Sequence, residues 1–224
     1  MTPSVPLSLS LLETRVLGVL VEKQLTTPDN YPLTLNSLVS GCNQKTSRHP
    51  LMSASEAQVQ MALDALKRHT LVIDSYGASG RVMRYAHNLP KVLNLGQAMT
   101  ALLAALMLRG PQTAGELRTG CERMYHFIDI SSVEGYLEEA AARPAGALVV
   151  KLAKQPGSRE HRWAHLLSGA VEADSHVGSD AVQDDSVTTG ELAALKANVA
   201  QLRDDVTELR SLVDRLYQEL GVAR

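Results

Sequence analysis

The phrase RVMRYAHNL, at residues 81–89, is repeated as REHRWAHLL at residues 159–167. Five of the nine positions are identical, and Tyr85 in the first phrase is matched in the second by Trp163, another large aromatic residue. Similarity at a fixed distance is the signature of a structural unit that occurs more than once. We therefore expect two copies of one unit, each ending in this basic and aromatic phrase.

The elements predicted around the two phrases follow the same order. Capping-box spacing, apolar periodicity and turn residues predict three helices, a strand, a turn and a second strand in each copy. The predicted helix caps are Ser10, Thr34 and Ser53 or Ser55 in the first copy, and Asn94, Thr113 and Ser131 in the second. This order is that of the winged-helix variant of the helix-turn-helix.

The predicted fold class is mainly α with small β-hairpins (α+β), with tandem winged-helix domains and a C-terminal coiled-coil helix. Residues 1–90 form winged-helix domain 1 in this interpretation, and residues 91–169 form winged-helix domain 2. Residues 170–190 contain five acidic residues and no basic ones, a composition typical of an acidic flexible linker. Residues 191–224 are assigned to the coiled-coil helix.

The last segment carries apolar residues at alternating spacings of three and four. This heptad pattern predicts a coiled coil, and β-branched residues alternating with leucine favour two parallel strands. The candidate dimerisation residues are Leu192, Leu195, Val199, Leu202, Val206, Leu209, Val213, Leu216 and Leu220. We therefore expect a homodimer; the alternative is a helix that folds back on its own domains.

Charge and composition narrow the class of protein. Residues 1–90 hold 8 basic and 6 acidic residues, residues 91–169 hold 9 and 7, and residues 170–224 hold 5 and 11. A mildly basic body therefore carries an acidic tail. The strongest apolar stretch, residues 98–108, is too short to cross a bilayer, and the first residues do not resemble a signal peptide. With two cysteines only, we expect a cytoplasmic protein that does not engage a membrane.

Three stretches also carry a family resemblance: EKQLTTPDNYPLTLNSLVSGCNQKTSRHPLM, LRGPQTAGELRTGCERMYHF and VVKLAKQPGSREHRWAHLLSG. They resemble the YceH-type family of uncharacterised bacterial proteins over residues 10–169, and NQKTSR at residues 43–48 is the most specific match. The resemblance implies tandem winged-helix domains and no settled activity. His49 departs from the pattern, in which an acidic residue is expected.

The closing strands supply the first candidate contacts to DNA. Side chains alternate along a strand, so Tyr85 and Trp163 are expected to be buried, with Arg84 and Arg162 exposed on the opposite face. Exposed arginines on a wing can touch phosphates or enter a minor groove. The candidates are Arg81, Arg84, Arg159 and Arg162. The alternative is that they are solvated arginines on an exposed hairpin.

A second group of candidates precedes and begins the third helix of the first copy. Lys45, Ser47 and Arg48 bring charge and a hydroxyl group close to a helix N-terminus, where they could position a phosphate. Gln58 on that helix could read a base edge. The alternative is a structural loop that satisfies its own backbone.

The third helices are acidic, which weakens a simple repressor model. The second copy carries Glu134, Glu138 and Glu139 there, with no basic residue before Arg143. Because carboxylates repel phosphates, that domain is predicted to pack on protein. If DNA is bound, the first domain should dominate, through Lys45, Arg48, Arg81 and Arg84.

Metal and catalytic motifs are weak. His161 and His165 share a strand face but lie about 13 Å apart at ~3.3 Å per residue, too far for one ligand sphere. The sequence shows no phosphate-binding glycine loop and no nucleophile motif. We expect no enzyme activity, no metal and no cofactor.

The sequence thus favours a DNA-binding regulatory protein of the winged-helix type that binds duplex DNA as a homodimer. The alternative is a protein-protein interaction scaffold in which the winged-helix domains bind an unidentified protein partner. Salt-dependent binding to random duplex DNA separates the two hypotheses.

Overall fold

A computed structural model of the chain describes residues 7–76, 82–154 and 158–170. The helices in these ranges are α1 (Leu11–Thr26), α2 (Leu35–Cys42), α3 (Glu56–Arg68), α4 (Leu89–Leu93), α5 (Gln97–Arg109), α6 (Ala114–Cys121) and α7 (Ile130–Ala141). The strands are β1 (Leu33–Thr34), β2 (Val72–Tyr76), β3 (Met83–His87), β4 (Val149–Lys151) and β5 (Trp163–His165). The predicted α+β class is confirmed. The predicted linker beyond residue 170 and the coiled-coil helix lie outside the described residues.

Most of the predicted helix caps are confirmed. Capping boxes open α1 at Ser10, α3 at Ser55 and α6 at Thr113, and Thr34 caps α2. Each of these side chains accepts a hydrogen bond from a backbone N–H that has no partner within the helix. The sequence therefore locates the starts of α1, α2 and α6 to the residue, and Ser55 is the correct one of the two caps predicted for α3.

Two predicted caps in the second copy are wrong. Asn94 has φ 50° and ψ 64°, so it ends the short helix α4, which the sequence analysis missed. Gly96, with extended backbone, precedes α5 instead. Asp129 caps α7 by accepting from the backbone N–H of Ser132 at 2.7 Å, so Ser131 lies inside the helix.

Helices α1 and α5 form the centre of the fold. Residues 14–21 of α1 and residues 98–108 of α5 are buried without interruption, as expected for helices surrounded by protein on all sides. The two helices approach closely: a Cβ at Gly18 would lie 3.0 Å from Cγ of Leu108. Glycine at this position lets the first copy pack against the second.

The first copy contains a three-stranded antiparallel sheet in the order β1-β3-β2. Leu33 pairs with Tyr85, and Asp74 pairs with Tyr85 from the other side. The second copy repeats this geometry with a shorter ladder, in which Lys151 pairs with Trp163. A single bridge between Gln112 and Trp163 takes the place of β1.

The buried apolar residues of both copies form one cluster. Their chain ends also meet, because Leu9 donates a backbone hydrogen bond to Leu167 at 2.7 Å. The predicted domain boundaries at residues 90 and 169 stay a prediction. A core shared by both copies does not show whether each copy folds by itself. None of the described helices has the length and apolarity that a membrane span requires.

Candidate nucleic-acid interface

Arg48, a predicted phosphate contact, is buried at the C-terminal end of α2. Its Nε donates to the carbonyl oxygen of Gly41 at 3.0 Å, and its Nη2 lies 2.6 Å from the carboxylate of Glu22. A cation at this position also interacts favourably with the negative end of the helix dipole. The guanidinium is engaged inside the protein and is not available to a phosphate.

Arg15 also contacts the C-terminal end of α2. It donates to the carbonyl oxygen of Cys42 at 3.0 Å and to that of Pro50 at 2.6 Å. Burial, together with the nearby charge of Arg48, lowers the pKa of Arg15. Two arginines therefore stabilise the end of α2. One of them, Arg48, is a charged residue of the NQKTSR segment, so its charge has a structural role.

The rest of loop 43–55 contains hydrogen bonds between its two ends and several exposed side chains. The amide of Asn43 bonds to both main-chain groups of Ala54, at 2.9 and 2.8 Å. The Oγ of exposed Ser47 accepts from Nη2 of Arg109 at 3.1 Å, which ties the loop to the second copy. Lys45 is exposed and has no ion pair within the described ranges, so of the three loop candidates it alone presents charge to solvent.

The glutamines of α3 are also engaged. Oε1 of Gln58 accepts from the backbone N–H of Ser55 at 2.8 Å and completes the capping box. Oε1 of Gln60 accepts from the hydroxyl of Tyr85 at 3.1 Å, and its Nε2 donates to Asp64 at 3.1 Å. Base reading by Gln58 would require it to leave the cap.

The repeated arginines of the closing strands make the same contact in both copies. Nη1 of Arg84 donates to the carbonyl oxygen of Pro32 at 2.9 Å, and Nη1 of Arg162 donates to that of Pro111 at 2.8 Å. Both carbonyls stand two residues before the cap of the second helix in their copy. The repeated phrase therefore fastens each hairpin to the start of a helix.

The strand register is as predicted, but the exposure of the two arginines is not. Tyr85 is 5% exposed and Trp163 is 2% exposed, which confirms that the aromatic face is buried. Arg84 and Arg162 are half-buried rather than exposed. Their long side chains turn back across the strand edge to reach the proline carbonyls, and Arg162 also pairs with Glu116 at 3.0 Å.

The last two arginine candidates differ in what the structure describes. Arg81 lies outside the described residues. Arg159 is exposed and lines a cavity of about 180 Å³ in the second copy. This cavity lies between the β4–β5 hairpin, the start of α6 at Ala114 and the side of α7 at Glu134.

Cations dominate the walls of this cavity. Lys151, Lys154 and Arg159 line it together with His161, against the carboxylates of Glu134 and Glu160. We refer to Lys151, Lys154 and Arg159 as the hairpin cations. All three are exposed, and none forms an ion pair among the residues that the structure describes.

The cavity floor fixes the position of one of these cations. Trp163 is buried, and Nζ of Lys151 lies 5.4 Å from the centre of its ring, within cation–π range. His161 is held by a contact of 2.9 Å between its Nδ1 and the carbonyl oxygen of Leu152. Lys151 and Lys154 were not among the predicted contacts. Alignment of the two repeats could have indicated Lys151. It pairs with Trp163 as Asp74 pairs with Tyr85 in the first copy, so a basic residue replaces an acidic one at the same position.

The repeated histidines lie on the core side of the hairpins. Burial lowers the pKa of His87 and that of His165 to about 4. Nδ1 of each ring is buried without a hydrogen-bond partner in the described part of the chain. Both rings are therefore neutral at pH 7 and add no charge to the interface.

Side chains suited to metal binding or nucleophilic chemistry are dispersed. Within residues 7–76, 82–154 and 158–170, no three His, Cys, Asp or Glu side chains come together as metal ligands would. Burial raises the pKa of Cys42 to about 11 and that of Cys121 to about 12. Both thiols are therefore protonated at neutral pH and poor nucleophiles.

The predicted dimerisation residues, Leu192, Leu195, Val199, Leu202, Val206, Leu209, Val213, Leu216 and Leu220, lie outside the described residues. The homodimer and the coiled coil accordingly stay predictions from the heptad pattern.

Comparison with known proteins gives a consistent result along the chain. A family model described as a protein of unknown function, DUF480, matches residues 9–158. A UPF0502 protein of Burkholderia vietnamiensis is 52% identical over 222 residues, which is 99% of this chain and 93% of the relative. A UPF0502 protein of Paraburkholderia phytofirmans is 53% identical over 215 residues, 96% of this chain and 90% of that protein.

Proposed function

The chain belongs to the DUF480 family, and on this premise we propose that it is a tandem winged-helix protein that binds duplex DNA in a regulatory role. The hairpin cations Lys151, Lys154 and Arg159 make the main phosphate contacts in this proposal. Their position beside the start of α6 is the observation that carries it.

The winged-helix interpretation is supported by the repeated geometry. Each copy has three main helices followed by a two-stranded hairpin, and in each copy an arginine of the second strand bonds to the segment before the second helix. In helix-turn-helix proteins the second and third helices of such a unit are the ones that approach DNA. The hairpin then acts as the wing beside them.

A phosphate group fits the cavity of the second copy for two physical reasons. The N-terminus of a helix attracts anions through its dipole and its free N–H groups, and Ala114 and Gly115 begin α6. The capping box there engages the N–H groups of Thr113 and Glu116, and the carboxylate of Glu116 is paired with Arg162. Three exposed cations on the neighbouring hairpin add charge from a second direction. Together they can hold one stretch of DNA backbone between the wing and the helix.

The sequence alone favoured the first copy as the main DNA contact. Arg48 and Arg84 are engaged in structural hydrogen bonds, which leaves Lys45 as the described cation of that set that faces solvent. The proposal therefore moves the main contacts to the second hairpin. Lys45 and Arg81 are secondary contacts.

Recognition is proposed to depend on the backbone more than on base edges. The outward side of α3 carries Glu56 and Asp64, and α7 carries three glutamates, so neither helix suits a deep position in a major groove. Phosphate contacts orient a protein on DNA but carry no sequence information. Modest affinity per copy would be compensated by avidity if the C-terminal heptads form the predicted dimer.

The experiment is fluorescence anisotropy of a random duplex titrated with the full chain at low salt. The triple variant Lys151→Ala/Lys154→Ala/Arg159→Ala should bind at least about tenfold more weakly, because each contact removed costs affinity. A matched control, Arg68→Ala/Lys91→Ala/Arg123→Ala, removes the same charge from exposed sites outside the proposed DNA contacts and should lose less. Equal losses in both variants, or a parent without affinity, would refute the proposal.

A further inference from the structure

Ile128 is the most exposed large apolar residue of the described chain, at 82%. It stands in the short connection between α6 and α7, and Ile130 beside it is 45% exposed. Burying such a side chain is favourable, so the exposure of Ile128 leaves a potential contact. Exposed apolar surface that polar residues surround can mark a protein interaction site.

The connection that carries Ile128 is held firmly from within. Arg118 donates from Nε to the carbonyl oxygen of Phe127 and from Nη2 to that of Ile128, both at 3.2 Å. Phe127 is 1% exposed and packs between the rings of Tyr125 and Tyr136. Ile128 is thus presented outward by a segment whose own contacts are satisfied.

The outward face of α7 continues from this point. Ser131, Gly135 and Glu138 share a face by their spacing, opposite the buried Val133 and Leu137. A Cβ at Gly135 would meet nothing within 4 Å. The middle of this face is therefore low and open, and another helix could approach it closely.

Carboxylates flank this low strip, and Glu134 among them also lines the cavity of the hairpin cations. Glu134, Glu138 and Glu139 are exposed, and none forms an ion pair with the other described residues. The last turn of α7 contains no basic residue. Glutamates near the C-terminus of a helix oppose its dipole and slightly destabilise it, so helix stability does not explain their presence.

The corresponding helix of the first copy lacks these features. Asp64 of α3 pairs with Lys67 at 3.0 Å, and Lys67 and Arg68 occupy its last turn. Met61 stands out from that helix where Gly135 leaves α7 open. The apolar anchor, the open strip and the unpaired carboxylates are specific to the second copy.

We propose that Ile128 and the outward face of α7 form a docking surface for a lysine- or arginine-rich amphipathic helix of a partner protein. The apolar side of that helix would cover Ile128 and the strip at Gly135. Its flanking cations would meet Glu134, Glu138 and Glu139. Charge complementarity selects this occupant over nucleic acid, since phosphates would be repelled here.

The proposal goes beyond DNA binding and assigns opposite tasks to two sides of the second copy. The hairpin cations would contact DNA, while the acidic face of α7 would recruit protein. Glu134 lies at the border, because it also lines the cavity. The two activities can be measured separately on the same samples.

The test uses the full chain and a fluorescein-labelled peptide of about 18 residues, or five helical turns. The peptide carries leucine on one helical face and lysine on both flanks. A peptide of the same composition in scrambled order tests whether the amphipathic face matters, and a glutamate-for-lysine version tests the sign of the charge. Anisotropy reports binding of each peptide.

Two variants and one control decide the result. Ile128→Asp and the double variant Glu138→Lys/Glu139→Lys should each weaken binding of the lysine peptide by at least about tenfold, as loss of a hot-spot contact does. Glu56→Lys/Asp64→Lys on α3 changes the net charge by the same amount as the α7 double variant. It should leave binding of the lysine peptide within about twofold, since α3 carries none of the proposed docking residues. Circular dichroism confirms that each variant is folded.

The outcomes divide cleanly. Weakening in both α7 variants with an unaffected control supports the docking surface. A parent that does not bind the lysine peptide overturns it, as does equal binding of the scrambled peptide or equal weakening in the α3 control. Duplex DNA binding by the Ile128→Asp variant should equal that of the parent.

Discussion

Arg48 and Glu22 form an ion pair of 2.6 Å in which the arginine side chain is entirely buried and the glutamate is 15% exposed. Two parallel contacts join them, because Nη1 of Arg48 also donates to Oε1 of Glu22 at 3.0 Å. The pair connects the central helix α1 to the loop before α3. A segment that reads as a basic DNA-contacting loop is thus part of the structural framework.

Removing the carboxylate of Glu22 should destabilise the fold, because the charge of Arg48 is buried. We expect Glu22→Ala to lower the free energy of unfolding by about 3–5 kcal/mol, because an uncompensated charge then stays buried. Urea unfolding followed by circular dichroism measures the difference. Asp64→Asn, which breaks an exposed pair with Lys67, should cost no more than about 1 kcal/mol. Similar losses in the two variants would show that the buried pair has no special weight.

The repeated histidines should make stability depend on pH. Burial holds the pKa of His87 and His165 near 4, whereas the unfolded chain binds these protons near pH 6.5. The unfolded state therefore binds more protons between pH 6.5 and 4, so stability falls as the pH falls through this window. Each ring should account for on the order of 3 kcal/mol, since one pKa unit equals about 1.4 kcal/mol.

Carboxylates titrate in the same pH range, so the test compares the loss of stability in the parent with that in a variant without these histidines. The double variant His87→Gln/His165→Gln should lose much less stability than the parent between pH 6.5 and 4 in urea titrations. Gln97→Ala removes an exposed side chain that does not titrate and, as the control, should keep the parental curve. Parallel curves for the parent and the double variant would mean that these histidines protonate freely in the folded state.

Arg84 and Arg159 should separate structural from DNA-binding arginines. Arg84→Met keeps most of the aliphatic stem but removes the hydrogen bond to Pro32, so we expect a loss of about 1–3 kcal/mol in stability. Its DNA affinity, measured where it is fully folded, should stay within about twofold, since no phosphate contact is lost. Arg159→Met should do the reverse. An Arg84 variant that is fully stable but binds DNA weakly would place Arg84 at the DNA interface.

The sequence was most informative where local rules decide the outcome. Strand alternation correctly predicted that Tyr85 and Trp163 are buried, and capping-box spacing located the starts of α1 and α6. Both features depend on neighbours within a few residues. The repeat itself revealed the shared element order of the two copies.

The hydrogen-bond partners of long side chains could not be predicted from such local rules. Arg48 reaches a carboxylate 26 positions away, and Arg162 reaches a carbonyl 51 positions away. Such partners are set by how the helices pack, which no local pattern records. Lys151 and Lys154 were missed because they are distant in the sequence from the predicted contact Arg159 and approach it only when the hairpin closes.

The C-terminal heptads lead to a prediction that concerns residues outside the described ranges. Replacing Leu202 and Leu209 with glutamate should place like charges in the coiled-coil seam and split the dimer, while residues 1–169 stay folded. Sedimentation velocity of the parent and the double variant measures the change in mass. A parent that is monomeric at tens of micromolar, or a double variant that stays dimeric, would show that the tail has another role.

The most direct test of the proposed function is the salt dependence of duplex binding. The logarithm of the binding constant should fall linearly with the logarithm of salt concentration in the parent, because each phosphate contact releases condensed counterions. Lys151→Ala/Lys154→Ala/Arg159→Ala should reduce that slope by about 2.7, or roughly 0.9 for each of three lost contacts. An unchanged slope in this variant would contradict a DNA interface built on the second hairpin.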